Sequence, residues 1–472
     1  MKSSYLLIAV LLLTVSSYSI AQKKRPNILF IASDDLSVDV SGFDNSFVKT
    51  PNLDRLYKSG VRFEKAYCQY PLCAPSRASL MTGLRPDKTQ VKDLFTFFRN
   101  KIPDVVTLPQ LFMNNGYFAA RVGKIYHYGV PSDIGTNGQD DSLSWNLRVN
   151  PIGIDRQQED KITNYMPKVP LGGALSFWAA PGTDDDQTDG KIANEAIKIL
   201  DAHKAEPFFL AVGFFRPHTP FVAPKKYFDL YPIDKITLPT QNDSDWNNKP
   251  SIARYTLKDN YGLTVLQQKE VTQAYYASIS FMDAQVGKLL DKLDELKLKA
   301  NTIIVFWSDH GYALGQHGQW QKQTLFEHTA RVPLIIAAPG LSKQQVTQST
   351  AELLDIYPTL TDLAGLKAPV DLAGKSLVPI LKKPSTDAET PAFTQLEKNT
   401  KQKAWYPNVN RDYIGKSVRY KQWRYTEWNE GKDGVELYNY DKDPNEFENL
   451  AANPEYASVI SELKEILHKQ TK

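Results

Sequence analysis

The sequence predicts an α/β protein: a large N-terminal domain with a mostly parallel sheet flanked by helices, followed by a smaller α+β C-terminal subdomain with an antiparallel sheet. Three observations carry this expectation. Four short apolar runs each stop abruptly at polar, reactive residues, the form taken by strands buried on both faces. Segments with one apolar helical face lie between them. After Pro369 the pattern changes to alternating residues and a final amphipathic helix, so the expected divisions are 1–21, 22–369 and 370–472.

Residues 1–21 read as a cleaved secretory signal: Lys2, an apolar run from Tyr5 to Val15, and Ser19-Ile20-Ala21 before Gln22. The alternative, a membrane anchor, needs ~20 apolar residues, and this run is shorter. No cysteine follows it, as a lipid anchor would require, and no later stretch is long enough to span a bilayer. Export to the periplasm or the medium is therefore expected, with no membrane span after cleavage.

Residues 27–33 form the first predicted strand, which ends at Asp34-Asp35. Residues 117–122 form the second, leading to Gly123-Lys124 and then His127. The third, 208–215, runs into Arg216-Pro217-His218, and the fourth, 302–307, into Ser308-Asp309-His310. Open α/β sheets bind ligands beyond the carboxyl ends of their strands, so the four ends are expected to converge on one crevice. Helices are predicted over residues 189–204, with Ile192, Ala196, Ile199 and Leu200 near one face, and over 269–298, which includes Phe281, Val286, Leu289 and Leu293. Residues 130–186 and 232–260 read as long irregular segments that either cover the surface or shape a substrate crevice. Towards the C-terminus, 416–428 and 435–440 are predicted strands joined through Gly431-Lys432-Asp433-Gly434. A helix over 453–469, with Asn453 as its cap and Pro454 in its first position, closes the chain.

Composition excludes several classes. With 42% hydrophobic residues the 472-residue chain can bury a sizeable core, and disorder is excluded. A formal charge of +3 with no basic block argues against nucleic acid as a partner. Cys68 and Cys73 are the only cysteines and cannot make a disulfide framework.

Three carboxylates, Asp34, Asp35 and Asp309, beside the imidazole of His310 suit a hard divalent cation such as calcium or magnesium better than zinc. Taken separately, each Asp pair also reads as a helix cap or turn. The most specific segment is Cys73-Ala74-Pro75-Ser76-Arg77-Ala78-Ser79-Leu80-Met81-Thr82-Gly83. Pro75 suits the first turn of a helix, which puts residue 73 at an N-terminus whose unpaired N–H groups and dipole favour an anion.

This Cys-x-Pro-x-Arg segment and its continuation, with Asp-Asp upstream and Ser-Asp-His-Gly downstream, resembles the signature of the type I sulfatases, members of the alkaline phosphatase superfamily. The resemblance runs over nearly all of the mature chain and implies an alkaline-phosphatase-like fold, with 22–369 as the catalytic domain. It implies that Cys73 is converted to formylglycine by a formylglycine-generating or sulfatase-maturing enzyme. It further implies one Ca2+ held by Asp34, Asp35, Asp309, His310 and the modified residue 73. The aldehyde hydrates to a geminal diol, one oxygen of which attacks sulfur in line. The alcohol leaves, and deprotonation of the second hydroxyl eliminates the covalent sulfate.

Further roles follow by the same resemblance. Arg77 supports the diol and the developing charge; Lys124 and His127, spaced Lys-x-x-His, grip the sulfate and orient the nucleophile. His218 protonates the leaving oxygen, and Lys322, in His317-Gly318-Gln319-Trp320-Gln321-Lys322, bridges sulfate and leaving group. Ordinary alternatives stand beside these: a small buried residue for Cys73, a surface ion pair for Arg77, solvated surface for Lys124 and His127, a histidine satisfied inside its loop for His218. His317 and His328 match no role and read as supporting or structural residues. The Lys-x-x-His spacing and the Gly-Phe-Phe-Arg-Pro-His-Thr-Pro-Phe loop are most similar to the branch containing iduronate-2-sulfatase and bacterial polysaccharide sulfatases. That implies a sulfated carbohydrate substrate, with uronate-2-sulfate and ulvan-type rhamnose-3-sulfate both open. The alternatives are a phosphoester or phosphonate hydrolase of the same superfamily and an inactive glycan-binding protein; the latter would be expected to lack some of Cys73, Arg77 and Lys322, and none is missing.

Overall fold

A computed structural model describes residues 25–470, apart from 257, 342, 370, 387 and 401–408. The secretory signal expected over 1–21 lies outside these residues. Among them, no helix is long and apolar enough to cross a membrane.

The molecule is built on an eight-stranded sheet. Its strands are β1 (Asn27–Ser33), β2 (Val61–Tyr67), β3 (Phe118–Gly123), β4 (Leu147–Val149), β5 (Phe208–Gly213), β6 (Thr302–Ser308), β7 (Arg331–Ala337) and β8 (Gln345–Glu352), in the spatial order β8-β2-β7-β6-β1-β5-β3-β4. All run parallel except β7, which is antiparallel to both β2 and β6. The four predicted strands are β1, β3, β5 and β6, side by side at the centre and towards one edge.

Every residue of β1, β5 and β6 is buried, because both faces of the sheet are covered. Leu29 and Ile31 of β1 face the core that contains α2 (Thr188–Ala202) and α3 (Val265–Glu295). Ile28, Phe30 and Ala32 face the opposite core, which contains α1 (Cys73–Thr82). The apolar faces read from the sequence do this packing: Ile192, Ala196, Ile199 and Leu200 of α2 join Phe281, Val286, Leu289 and Leu293 of α3. Helix α3 starts four residues earlier than expected, because the Thr264 hydroxyl accepts the Gln267 amide while the Gln267 side chain accepts the Thr264 amide.

At the C-terminal end lies a four-stranded antiparallel sheet of β9 (Ala392–Lys398), β10 (Tyr413–Tyr420), β11 (Trp423–Trp428) and β12 (Val435–Asn439). The single strand expected over 416–428 is two strands. The chain reverses at Lys421, whose φ of 53° lies in the left-handed region, and Tyr420 pairs with Trp423. Helix α4 (Ala457–Gln470) sets Leu463 and Leu467 against Val418, Tyr425 and Leu437 on one face. The Asn453 side chain accepts the Glu455 amide at the start of a short turn into α4. The other face puts Leu396, Trp428 and Tyr438 against Tyr70, Leu72, Leu325 and Phe326.

The segment read as irregular over 130–186 is partly ordered. It supplies β4 and two strands of a small sheet, Thr163–Asn164 and Ser176–Ala180, completed by Phe221–Pro224.

Candidate active site

Strand register assembles the site. β1 and β6 pair in parallel with Ser33 opposite Ser308, so Asp34-Asp35 and Asp309-His310 leave the sheet side by side. β5 lies against β1 with Gly213 opposite Ala32, and β3 lies against β5 with Gly123 opposite Gly213. The segments carrying His218 and Lys124 therefore emerge at the same edge. Asp35 turns the chain with a φ of 63°, and the Tyr275 hydroxyl of α3 donates to its carbonyl at 2.7 Å. The Asp35 amide donates to Asp309 Oδ1 at 3.1 Å, and the Leu36 amide to Ser308 Oγ at 2.9 Å.

Helix α1 approaches from one face with Cys73 as its first residue. Cys73 Sγ lies 3.3 Å from His310 Nε2, 3.1 Å from Lys322 Nζ and 3.6 Å from Asp35 Oδ1. One turn on, Arg77 is fully buried: Nε donates to Asp309 Oδ2 at 2.8 Å, Nη2 to Asp34 Oδ1 at 3.0 Å, and Nη1 to the carbonyls of Lys124 and Ile125, both at 2.9 Å. Its donors thus hold the carboxylates and the β3 loop. The Ser76 hydroxyl donates to the Asp309 carbonyl at 2.5 Å, pinning helix to strand end.

Three cations answer three carboxylates. Lys124 Nζ is 2.6 Å from Asp34 Oδ2, Lys322 Nζ is 2.7 Å from Asp35 Oδ1, and Arg77 holds Asp309. Burial alone would raise these carboxyl groups, but the facing cations outweigh it. Lys124 helps to lower Asp34; His218, Lys322 and His310 hold Asp35 at about 2; Arg77 holds Asp309 well below the usual carboxylate range. Burial pushes the Cys73 thiol well up despite Lys322 and Lys124, so unmodified Cys73 is neutral and a poor nucleophile near pH ~7. His310 Nδ1 lies 2.9 Å from the Gly311 carbonyl, which leaves Nε2 turned to Asp35 and Cys73. His218 Nδ1 lies 2.5 Å from the Thr219 carbonyl, and Nε2 stands 3.8 Å from Asp35 Oδ2. Burial lowers His218 to about 4. His127 is driven well below its usual range by burial, with Lys124 adding to the shift; its buried Nδ1 has no hydrogen-bond partner among the described residues.

Ligand atoms of Asp35, Cys73, Asp309 and His310 all lie within 4.8 Å of one another, as do those of Asp34, Asp35, Cys73 and His218. Asp35 Oδ2 is buried and receives no hydrogen bond among the described residues, and a bound cation would satisfy it. Oxygen-rich donors with one or two imidazoles suit a hard divalent ion. The residues present therefore fit a metal.

Several supporting residues had no signal in the local sequence. Asp189, on α2, accepts the amides of Phe215 and Arg216, both at 2.9 Å. Asp155 pairs with Arg216 Nη2 at 2.6 Å, and Arg216 Nη1 donates to the carbonyls of His218 and Pro220. Together they fix the loop that carries His218. Two further histidines lie elsewhere: His203 stacks on Phe118 and His468 contacts Glu427.

The family profile described as Sulfatase matches residues 26–366. The chain belongs to the sulfatase family. A second profile, described as the C-terminal part of N-sulphoglucosamine sulphohydrolase, matches residues 315–472 of this sulfatase. A protein named sulfatase from Formosa agariphila is 35% identical, over 94% of this chain and 87% of its own length. The iduronate 2-sulfatase of Mus musculus is 31% identical, over 93% of each chain, in keeping with the branch that the loop motifs resemble. Among solved structures, a phosphonate monoester hydrolase of Agrobacterium radiobacter superposes with a TM-score of 0.76 over 95% of each chain, at 24% identity. That likeness is one of fold.

Proposed function

We propose that this sulfatase hydrolyses the sulfate ester of a sulfated carbohydrate, with residue 73 as nucleophile after conversion to formylglycine. The observation that carries the proposal is the position of residue 73: first in a buried helix, within 3.6 Å of Lys322, His310 and Asp35 at the strand ends. Asp34, Asp35, Asp309 and His310 would hold one Ca2+, which when bound supplies positive charge that favours an ionised oxygen on residue 73 and offsets charge on the sulfate. The hydrated aldehyde of formylglycine supplies what a neutral thiol cannot, an oxygen nucleophile and a second hydroxyl through which sulfate is released. Cys73 is 1% exposed, so the maturing enzyme must reach it before the fold closes.

The chain's own residues do the rest. Arg77 fixes the directions of the Asp34 and Asp309 carboxylates. Lys322 bridges Asp35 and residue 73 and is placed to hold the sulfate and the oxygen that leaves with the sugar. Lys124, paired with Asp34, and His127 would grip the sulfate oxygens. His218 is oriented by Thr219 so that Nε2 is free to give a proton to the departing alcohol. Its imidazole is neutral at rest; an anion placed beside it opposes the effect of burial and favours protonation as substrate binds.

The mouse relative's name points to uronate-2-sulfate, and rhamnose-3-sulfate of algal polysaccharides stands as the second substrate class. An exported enzyme, in the periplasm or the medium, meets both. The test is release of sulfate and of phosphate from a panel of sulfated oligosaccharides, polysaccharides and phosphoesters, using Ca2+-loaded enzyme and its Cys73→Ser variant. Sulfate from one glycan class, lost in the variant, is expected. Phosphate as the dominant product would replace this reading with a phosphoester or phosphonate hydrolase, and undiminished activity of Cys73→Ser would overturn the nucleophile.

A further inference from the structure

A second group of metal-binding side chains lies away from the acidic centre. Ligand atoms of His317, His328 and Glu446 lie within 4.8 Å of one another. The three line a cavity of about 700 Å³, and none of Asp34, Asp35, Cys73 or Asp309 contributes to its wall. The two imidazole rings sit 5.5 Å apart between centroids.

Each side chain is set as a ligand would be. His317 is 4% exposed, and its Nδ1 lies 2.9 Å from Asp245 Oδ2, which leaves Nε2 as the nitrogen available to an ion. Asp245 is itself paired with Lys249. A carboxylate on the far nitrogen is the arrangement that fixes the tautomer and orientation of a metal-bound histidine and raises its basicity. His328 Nε2 is buried with no hydrogen-bond partner among the described residues, a cost that a ligated ion removes. Glu446 is 1% exposed; it accepts Tyr440 Oη at 2.6 Å and the Glu327 amide at 2.8 Å and lies 3.2 Å from Arg424 Nε, and its oxygens retain further lone pairs.

We propose that His317, His328 and Glu446 form a second metal site, taking a borderline transition cation of the zinc type with the cavity open to its fourth position. Two imidazole nitrogens and one carboxylate select such an ion over calcium, which prefers six or more oxygens. The site has a structural consequence. His317 and His328 flank Lys322 in sequence, whereas Glu446 follows β12, so the ion ties the loop that carries Lys322 to the C-terminal sheet.

The test uses the full protein with a large excess of Ca2+ to fill the acidic centre, and Co2+ as a spectroscopic probe. One equivalent of Co2+ is expected to bind with visible d–d absorption, to be displaced by Zn2+, and to be lost in His328→Gln. Zn2+ is expected to raise the Tm of the wild type and not that of His328→Gln. His328 Nε2 has no hydrogen-bond partner to lose among the described residues, so this variant is expected to keep the fold even where His317→Gln does not; circular dichroism checks both. Absence of the band in the wild type, its removal by Ca2+, or its survival in His328→Gln would each overturn the proposal.

Discussion

Arg77 shows how a single side chain can hold a charged centre together. It is completely buried, and its guanidinium joins two carboxylates that end different strands to two carbonyls that follow a third. Removing one partner of a buried ion pair leaves the others uncompensated and costs ~3–5 kcal/mol. Arg77→Met is therefore expected to lower metal-free stability by that amount in urea unfolding. Added divalent cation recovers part of the loss, because the freed Asp34 and Asp309 carboxylates then face an ion. Equal stability of variant and wild type without metal would show that Arg77 does not hold these groups. By contrast Cys68, five residues before Cys73, is a thiol raised by burial against the Thr329 carbonyl and takes no part in the site.

At the scale of the element, α1 decides where residue 73 stands. All ten of its residues are buried, and it stops at Gly83, whose φ is 71°. A Cβ there would lie 2.4 Å from Leu372 Cδ2 and 3.1 Å from Tyr357 Cδ1. Gly83→Ala combines left-handed backbone strain with overpacking and should cost ~1–3 kcal/mol, read as a fall in Tm. Activity per folded molecule should persist, since the strain falls at the end of the helix opposite residue 73. An unchanged Tm would mean that the cap accommodates a side chain. The start of α3 shows the converse: Thr264-Val265-Leu266-Gln267 is a capping box written in the sequence, and it opens the helix whose Tyr275 reaches Asp35.

For the whole molecule, the C-terminal sheet braces the candidate active site. Trp428, Leu396 and Tyr438 pack on Tyr70 and Leu72, which lead into α1, and on Leu325 and Phe326, which follow Lys322. Glu327 is the polar joint beside this cluster: Tyr67 of β2 donates to it at 2.9 Å, and Arg424 of β11 pairs with its other oxygen. Burial opposes its charge, but Arg424, Arg419 and Arg331 outweigh it and hold Glu327 at about 2, below its ordinary 4.5. A carboxyl lowered on folding stabilises above its unfolded value and loses that contribution as pH falls towards its folded value. Glu327→Gln should accordingly cost about 3 kcal/mol at neutral pH, with the difference from wild type shrinking between pH ~4.5 and ~2. A pH-independent difference in urea unfolding would remove the ion pair as the cause.

Much of this was legible locally. Apolar runs ending in reactive residues marked β1, β3, β5 and β6, and the segment from Cys73 to Gly83 marked the helix, because burial on both faces and helix entry leave patterns within a few residues. The other half of the sheet was not. β7 contains Pro333, at which its pairing with β2 slips register, and β8 is largely polar, so neither carries a strand's ordinary periodicity. The reversal at Lys421 uses neither glycine nor asparagine and left no turn signal. From residues alone, then, the fold class and the family were determined. That Ser33 lies opposite Ser308, that Arg77 spends its donors on Asp34 and Asp309, and that His317 and His328 meet Glu446 were decided only by the tertiary structure, because these contacts join residues tens to hundreds of positions apart whose pairing depends on strand register and packing rather than on any local pattern.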